Sequence, residues 1–219
     1  MIAKLFGRLW AALSCLTCLM LLWSPAQAAP IRVTITVDNS YALFVGTETE
    51  AATYVGSDFT WTGAETYNFD LGDDQYLYLV TASDLTTAQG FLGQFENLLT
   101  GYKFYSNDPQ WQVAATGLGS DAPYSGDADD LALLSAEIVK ANGGADASGG
   151  WTGLTDGPAN GAAPWGKIAG IDAAARWVWY SSNGDTDPTT PGYDHDEWLI
   201  FRIPVAATPT SSVPEPAGL

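Results

Sequence analysis

The sequence predicts an all-β fold, an antiparallel sandwich or barrel, with one short helix on its flank. Three observations carry that expectation. Apolar residues alternate with a period of two in "IRVTITV", and short strand-like segments follow it, punctuated throughout by Gly, Asp, Asn and Ser. A single stretch repeats its apolar residues at helical spacing instead.

"IRVTITV" opens the pattern, with Ile31, Val33, Ile35 and Val37 alternating against Arg32, Thr34 and Thr36, so β-branched residues lie on both faces. "SYALFVG" follows the turn pair Asp38-Asn39, and "ATYVG", "FTWTG", "ETYNFDLG", "QYLYLVTAS", "GFLGQFENLL" and "WQVAATG" continue as short strand candidates. Short antiparallel strands at this spacing belong to sandwiches and barrels. In "DADDLALLSAEIVKANGG", Leu131, Leu134 and Ile138 share one helix face. Asp127, Asp129 and Asp130 crowd its first turn, Lys140 stands in its last, and Asn142-Gly143 offers a C-cap, so the charges suit the helix dipole. The expected place for this helix is across one end of the sandwich.

From Gly143 to Gly170 the chain is rich in Gly and Ala but carries Trp151 and Trp165. Exposed indoles are costly, so this reads as a long ordered loop wrapping the sandwich and not as a linker. "ARWVWYS" and "EWLIFRIPV" close the domain as strands, with Trp177 and Trp179 expected on one face and Val178 and Tyr180 on the other. After residue 207 the Ser/Thr/Pro-rich 208–219 segment has no periodic pattern and reads as a surface tail.

Residues 1–28 have the layout of a secretory signal peptide. Lys4 and Arg8 precede an apolar run from Leu9 to Trp23, Pro25 breaks it, and Ala26-Gln27-Ala28 places cleavage between Ala28 and Ala29. A membrane anchor is the alternative, but about 15 apolar residues fall short of the roughly 20 that span a bilayer. A lipoprotein reading at Cys15 would cut into the apolar run. Both cysteines, Cys15 and Cys18, lie in this leader, so the mature chain has no disulfide to draw on. Residues 29–207 are ample for one domain with its own core.

The chain has a formal net charge of −17, and losing Lys4 and Arg8 with the leader leaves six basic residues against 25 acidic ones. Such a surface repels phosphate backbones and anionic lipid, which argues against nucleic-acid and membrane-surface partners. Cations, neutral glycans and basic proteins remain possible partners.

His195 is the single histidine. With no mature cysteine and no serine in an elbow motif, neither a nucleophilic triad nor a zinc site is expected. The same stretch, "NGDTDPTTPGYDHDEW", holds Asp185, Asp187, Asp194 and Asp196 in two Asp-x-Asp pairs. Alternating acids in a turn can converge on calcium, which takes hard oxygen ligands; a solvated acidic loop is the alternative. Paired carboxylates could also hydrolyse glycosides, but nothing singles out one pair among 25 acids. Tryptophan faces that stack sugar rings are the other candidate. Trp177, Trp179 and Trp198, inside strands, are expected in the core. Trp151 and Trp165 in the Gly-rich loop are the candidate surface platform, with Tyr193 and Asp194 supplying polar contacts, and packing of the loop as a lid is the alternative for both.

The last residues, Val213, Pro214, Glu215 and Pro216, resemble the start of a PEP-CTERM sorting signal, in which this motif precedes a transmembrane helix and a basic cluster. The leader and the Ser/Thr/Pro stretch before the motif fit that resemblance. It implies export by a Gram-negative bacterium, handling by exosortase, and a secreted or cell-surface location among extracellular polysaccharide. Only Ala217, Gly218 and Leu219 follow, so the membrane half of the signal is absent and the mature chain as written is not expected to stay in a membrane. The body, from "VTITVDNSYALFVG" through "VGSDFTWTGAETYNFDLGDDQYLYLVTASD" and "QGFLGQFE" to "PWGKIAGIDAAARWVW" and "DEWLIFRIPV", resembles a galactose-binding-like domain. That resemblance implies an antiparallel jelly-roll-like β-sandwich, often with a structural calcium. The loop "GTETEAATYVG" departs from the tight hairpin of the pattern. Together these features lead to the expectation of a non-enzymatic surface or extracellular-matrix module associating with polysaccharide, with calcium as its candidate cofactor. A structural or adhesive protein-binding matrix component is the second reading and a glycan-cleaving enzyme the third.

Overall fold

Alternation in the first strand sets the architecture. In β1 (Ala29–Asp38), Ile31, Val33, Ile35 and Val37 enter one buried cluster, while Thr34 and Thr36 on the opposite face are buried as well. A strand buried on both faces needs cover on both sides, and the rest of the chain supplies it. The computed structural model describes residues 28–72, 74–83, 88–119, 122–182 and 197–204.

After β1 come β2 (Ser40–Gly46), β3 (Ala51–Asp58), β4 (Glu65–Leu71), β5 (Tyr76–Ala82), β6 (Gly90–Asn97), β7 (Lys103–Tyr105) and β8 (Gln112–Ala115). Helix α1 (Ala128–Asn142), β9 (Thr155–Ala159), β10 (Arg176–Trp179) and β11 (Leu199–Pro204) complete the order. The strands form two antiparallel sheets: the first runs β4-β1-β6-β10-β9, and the second β3-β2-β5-β11-β8. The outer edge of β6 is shared, with β10 meeting Phe91 and β7 pairing along Gln94 to Glu96. The chain steps between sheets from β1 to β2, β3 to β4 and β5 to β6, so β4-β1-β6 in one sheet mirrors β3-β2-β5 in the other. That winding makes the molecule an all-β, jelly-roll-like sandwich with one helix.

Between the sheets, aromatic rings carry the core. Phe91 stands edge-on to Trp111 and Phe201 at centroid distances of 5.3 and 5.0 Å, and Phe95 lies 5.2 Å from Trp111. Each such side chain contributes roughly 1.5–3 kcal/mol by leaving water, and favourable ring geometry adds about 0.5–1.5 kcal/mol per pair.

Helix α1 starts where its sequence allows: Asp127 Oδ1 accepts from the Asp130 N–H at 2.9 Å, and Gly143 ends it. Its buried Leu134 and Ile138 join Phe44, Tyr78, Val80, Trp198 and Ile200, so the helix covers the outer face of the second sheet and not an end of the sandwich. The apolar residues at alternate positions of β2, β5 and β11 leave that face dry, which is what draws the helix there. The outer face of the first sheet is covered by the Gly-rich loop, through Trp165, Ile168 and Ile171 packed on Leu92 and Trp177. Among the described residues no helix is long and apolar enough to cross a membrane.

Several local expectations change. "FTWTG" is not a strand, because Asp58 Oδ2 accepts from the Thr60 N–H and Oγ1 at 2.7 and 2.8 Å and turns the chain away. The β2–β3 connection is a tight hairpin, closed by Thr47 N–H to Glu50 O at 2.9 Å. A Cβ on Gly46 would lie 2.0 Å from Glu50 O, so only glycine fits that turn. In β10 the expected alternation breaks: Trp177 packs in the outer cluster, whereas Val178 and Trp179 both join the inner core. A register shift between Arg176 and Val178 is the cause.

Candidate functional site

The outer face of the second sheet carries a cross-strand row, Phe44, Tyr78, Arg202 and Gln112, running over β2, β5, β11 and β8. Helix α1 shields the Phe44 side, and its last residue, Asn142, ends beside Arg202. In β11, Arg202 continues the stripe begun by Trp198 and Ile200, placing a guanidinium where the pattern calls for an apolar residue.

Arg202 is 7% exposed. Its Nε donates to Gln112 Oε1 and its Nη1 to Asn142 Oδ1, each at 2.9 Å. It lies 3.8 Å from the centroid of the Trp151 ring and 5.2 Å from that of Tyr76. No carboxylate of the described residues forms an ion pair with it. Its charge is offset by the two amide oxygens, by the indole face and by the negative end of α1. Burial pulls the Arg202 pKa down, and neighbouring Tyr78, Tyr76 and Glu48 oppose that. Burial likewise pushes the Tyr78 phenol up to about 12, and its hydroxyl donates to Thr47 O at 2.6 Å.

Asn142 is the hub of the cluster. Its Oδ1 also accepts the Trp151 Nε1–H at 2.7 Å, and its Nδ2 donates to Glu48 O at 2.8 Å. Asn142 holds the half-buried Trp151 ring by its edge and Arg202 covers one of its faces, while half-buried Tyr76 stacks on Tyr78 at 6.0 Å beside the same guanidinium, so the two rings form an aromatic shelf.

Trp151 begins a short segment that links the two sheets. Thr152 exchanges both backbone hydrogen bonds with Val113 of β8, each at 2.9 Å, and Thr155 then enters β9 in the first sheet. Beside this crossing lies a partly open cleft of about 380 Å³. Gly153, Leu154 and Asp156 form one wall, and Asn107, Asp108 and Pro109 of the β7–β8 turn form the other, with Trp111 between them. Asp108 Oδ1 accepts from the Gln110 N–H at 2.9 Å, and Asn107 Oδ1 from the Arg176 N–H at 3.2 Å. Arg176 Nε lies 3.7 Å from Asp156 Oδ2, both side chains being exposed. A pair of that kind is worth at most about 1 kcal/mol.

Of the residues singled out by sequence, Trp151 lies on the shelf. Trp165 is lid packing: it is 7% exposed, stacks on Trp177 at 4.1 Å and donates Nε1–H to Asp38 Oδ2 at 2.6 Å. It offers no open ring for a ligand, because Gly90 lets both indoles settle against β6. Trp177, Trp179 and Trp198 are core residues, as expected. Ala28 is exposed, and Ala29 opens β1 opposite Leu71. Tyr193, the acidic positions Asp185, Asp187, Asp194 and Asp196, and the Val213, Pro214, Glu215, Pro216 motif lie outside the described residues. Among the described residues no group of three His, Cys, Asp or Glu side chains is placed to hold a metal.

Sequence reasoning missed Arg202, Tyr76, Gln112 and Asn142. The available signal was Arg202 at a two-residue step from Ile200 and Trp198 in an otherwise apolar stripe. No family model, curated protein or solved structure matches the chain.

Proposed function

We propose that this chain is an exported, non-enzymatic module that associates with extracellular polysaccharide through the shelf of Trp151 and Tyr76. The observation that carries the reading is the placement of two half-buried rings around one guanidinium, with Trp151 also bonded to the Asn142 amide. A sugar ring has an apolar C–H face bounded by hydroxyls, and such a shelf meets both features at once. Rings already immobilised by Asn142 and Arg202 lose little freedom when a ligand arrives.

Binding in preference to hydrolysis is supported by the carboxylates. Among the described residues, Glu65 is the carboxylate whose pKa is raised, by burial first and by Asp58 next, and it belongs to β4 at the opposite edge of the sandwich. The leader, with its Ala28–Ala29 cleavage point, and the Val213–Pro216 motif support export and a surface address, with exosortase as the handling enzyme where a full signal is present. Calcium is part of this reading, with Asp185, Asp187, Asp194 and Asp196 as its candidate ligands.

A protein-binding matrix role is the second reading. It is favoured by Leu98, Leu99 and Tyr102, exposed together at the β6–β7 turn, with Leu99 62% exposed.

The test is retention of residues 29–219 on immobilised polysaccharides, in calcium and in chelator. Retention that drops on Tyr76→Ala or Trp151→Ala, with the thermal midpoint monitored, supports the shelf; loss in chelator supports calcium. Absence of retention on every polysaccharide in both conditions refutes the module and favours the protein-binding role.

A further inference from the structure

We propose that the cleft between the β7–β8 turn and the segment entering β9 binds one neutral sugar residue, so that the polysaccharide partner is built of neutral and not of uronic units. This deepens the polysaccharide reading above and rests on it.

The size of the cleft, about 380 Å³, sits at the low end of the roughly 300–1,000 Å³ of small-molecule sites. It suits a single ring, with the chain continuing outside. Its lining is divided as a pyranose is divided. Leu154 and Pro109 offer apolar surface to a C–H face above a floor closed by the buried Trp111, while Asn107, Asp108 and Asp156 offer oxygens at the rim. The Asp108 carboxylate is oriented by its own turn, through Oδ1 and the Gln110 N–H, and no basic side chain of the described residues pairs with it. A carboxylate accepts hydrogen bonds, and hydroxyls are the donors a neutral sugar presents.

The same groups reject a uronate. Its carboxylate would face two acids, Asp108 and Asp156, against the single nearby cation Arg176, whose Nε lies 3.7 Å from Asp156 Oδ2. The formal charge of −17 adds to that repulsion at low salt. Position ties the cleft to the shelf, because Trp151 and Gly153 are two residues apart in an extended segment, about 7 Å of backbone. A glycan resting on Trp151 therefore reaches the cleft mouth without a long excursion.

Gly153 supplies a clean test. A Cβ built there meets nothing within 4 Å and its φ is not in the left-handed range, so Gly153→Phe places a ring at the cleft with no backbone strain. Residues 29–219 and this variant are run over dextran, galactomannan, polygalacturonate, alginate and chitosan gels at about 0.15 M salt, where screening beyond about 8 Å tempers the long-range charge. The soluble probes are methyl glucoside, galactoside and mannoside, followed by amide NMR shifts. The expected result is retention of wild type on a neutral gel and not on the uronate gels, weakened at least about tenfold by Gly153→Phe with an unchanged thermal midpoint. A neutral glycoside should shift amides of residues 107–111 and 153–156 in the wild type alone. Neutral-gel retention that Gly153→Phe leaves intact overturns this site and spares the shelf. Preference for the uronates or for cationic chitosan overturns the neutral assignment. Retention on no gel removes the polysaccharide reading, and this site with it.

Discussion

Asn142 is the point at which the shelf is most sharply testable. Replacing it by Ala removes the acceptor for Arg202 Nη1 and for Trp151 Nε1, together with the donor to Glu48 O. The guanidinium loses one of two amide oxygens in a site where no carboxylate of the described residues pairs with it, a loss of about 1.5–3 kcal/mol for a hydrogen bond to a charged group. The indole bond is open to solvent and adds about 0.5 kcal/mol. Asn142→Ala should therefore cost about 2–3.5 kcal/mol, a fall of roughly 4–14 °C in thermal midpoint for a domain of this size. Asn142→Asp keeps an oxygen at the same place and gives Arg202 a counter-charge. Against that stand the lost donor to Glu48 O and a negative charge at a helix C-terminus, the latter worth about 0.3–1 kcal/mol. The Asp variant should stay within about 1 kcal/mol of wild type. Urea unfolding of both at pH 7 measures the difference. If Asp proves as damaging as Ala, Arg202 is not an under-compensated cation and the electrostatic account of the shelf is wrong.

Gly46→Ala should destabilise by about 2–4 kcal/mol, because its Cβ would collide with Glu50 O, while Gly63→Ala, which meets nothing within 4 Å, should be tolerated; urea midpoints compare the two. Glu65 has its folded pKa raised above 4.5 by burial and by Asp58, so the folded state holds the proton more tightly. Its contribution to stability is present below the unfolded pKa and is lost as pH rises through the folded value. Glu65→Gln should accordingly be more stable than wild type at pH 7 and lose that advantage near pH 4, read from paired unfolding curves. Asp127 has the opposite sign: hydrogen bonds from the Asp130 N–H and from Ser125 hold its pKa down, so its capping contribution is present at neutral pH and fades as pH falls through that lowered value. Asp127→Ala should lower the thermal midpoint at pH 7 and much less in strong acid.

The sandwich was legible because β1 alternates its β-branched residues openly, while β2, β5 and β11, buried on both faces, read as short apolar runs bounded by turn residues. Helix α1 was legible from its ends as well as its face, through Asp127, Lys140 and Gly143. What escaped has a common physical cause. β9 reads "TDGPA", with no β-branched pair and a proline, and it is a strand only because β10 offers it a partner. β7 is three residues long and leans on β6 in the same way. The shelf was hidden for a related reason, since Tyr76, Gln112, Asn142, Trp151 and Arg202 come from five separate segments, and only the order β5-β11-β8 with the end of α1 gathers them.

The Gly-rich stretch was legible as an ordered loop through its tryptophans, but not which partners each part would find. Residues 143–170 close both sheets: Thr152 against β8, Thr155–Ala159 against β10, and Trp165 on Trp177. Small residues are what that path requires. A Cβ at Gly157 would come within 3.0 Å of Trp177 O, and Gly150 takes a φ of 111° just before Trp151. The glycines let the backbone press onto the sandwich, and the tryptophans supply the apolar area that keeps it there. One of them, Trp165, is consumed by that anchoring. The other, Trp151, is anchored through its edge by Asn142 and covered on a face by Arg202, which leaves it half-buried and rigid, the condition under which an aromatic ring can serve a ligand.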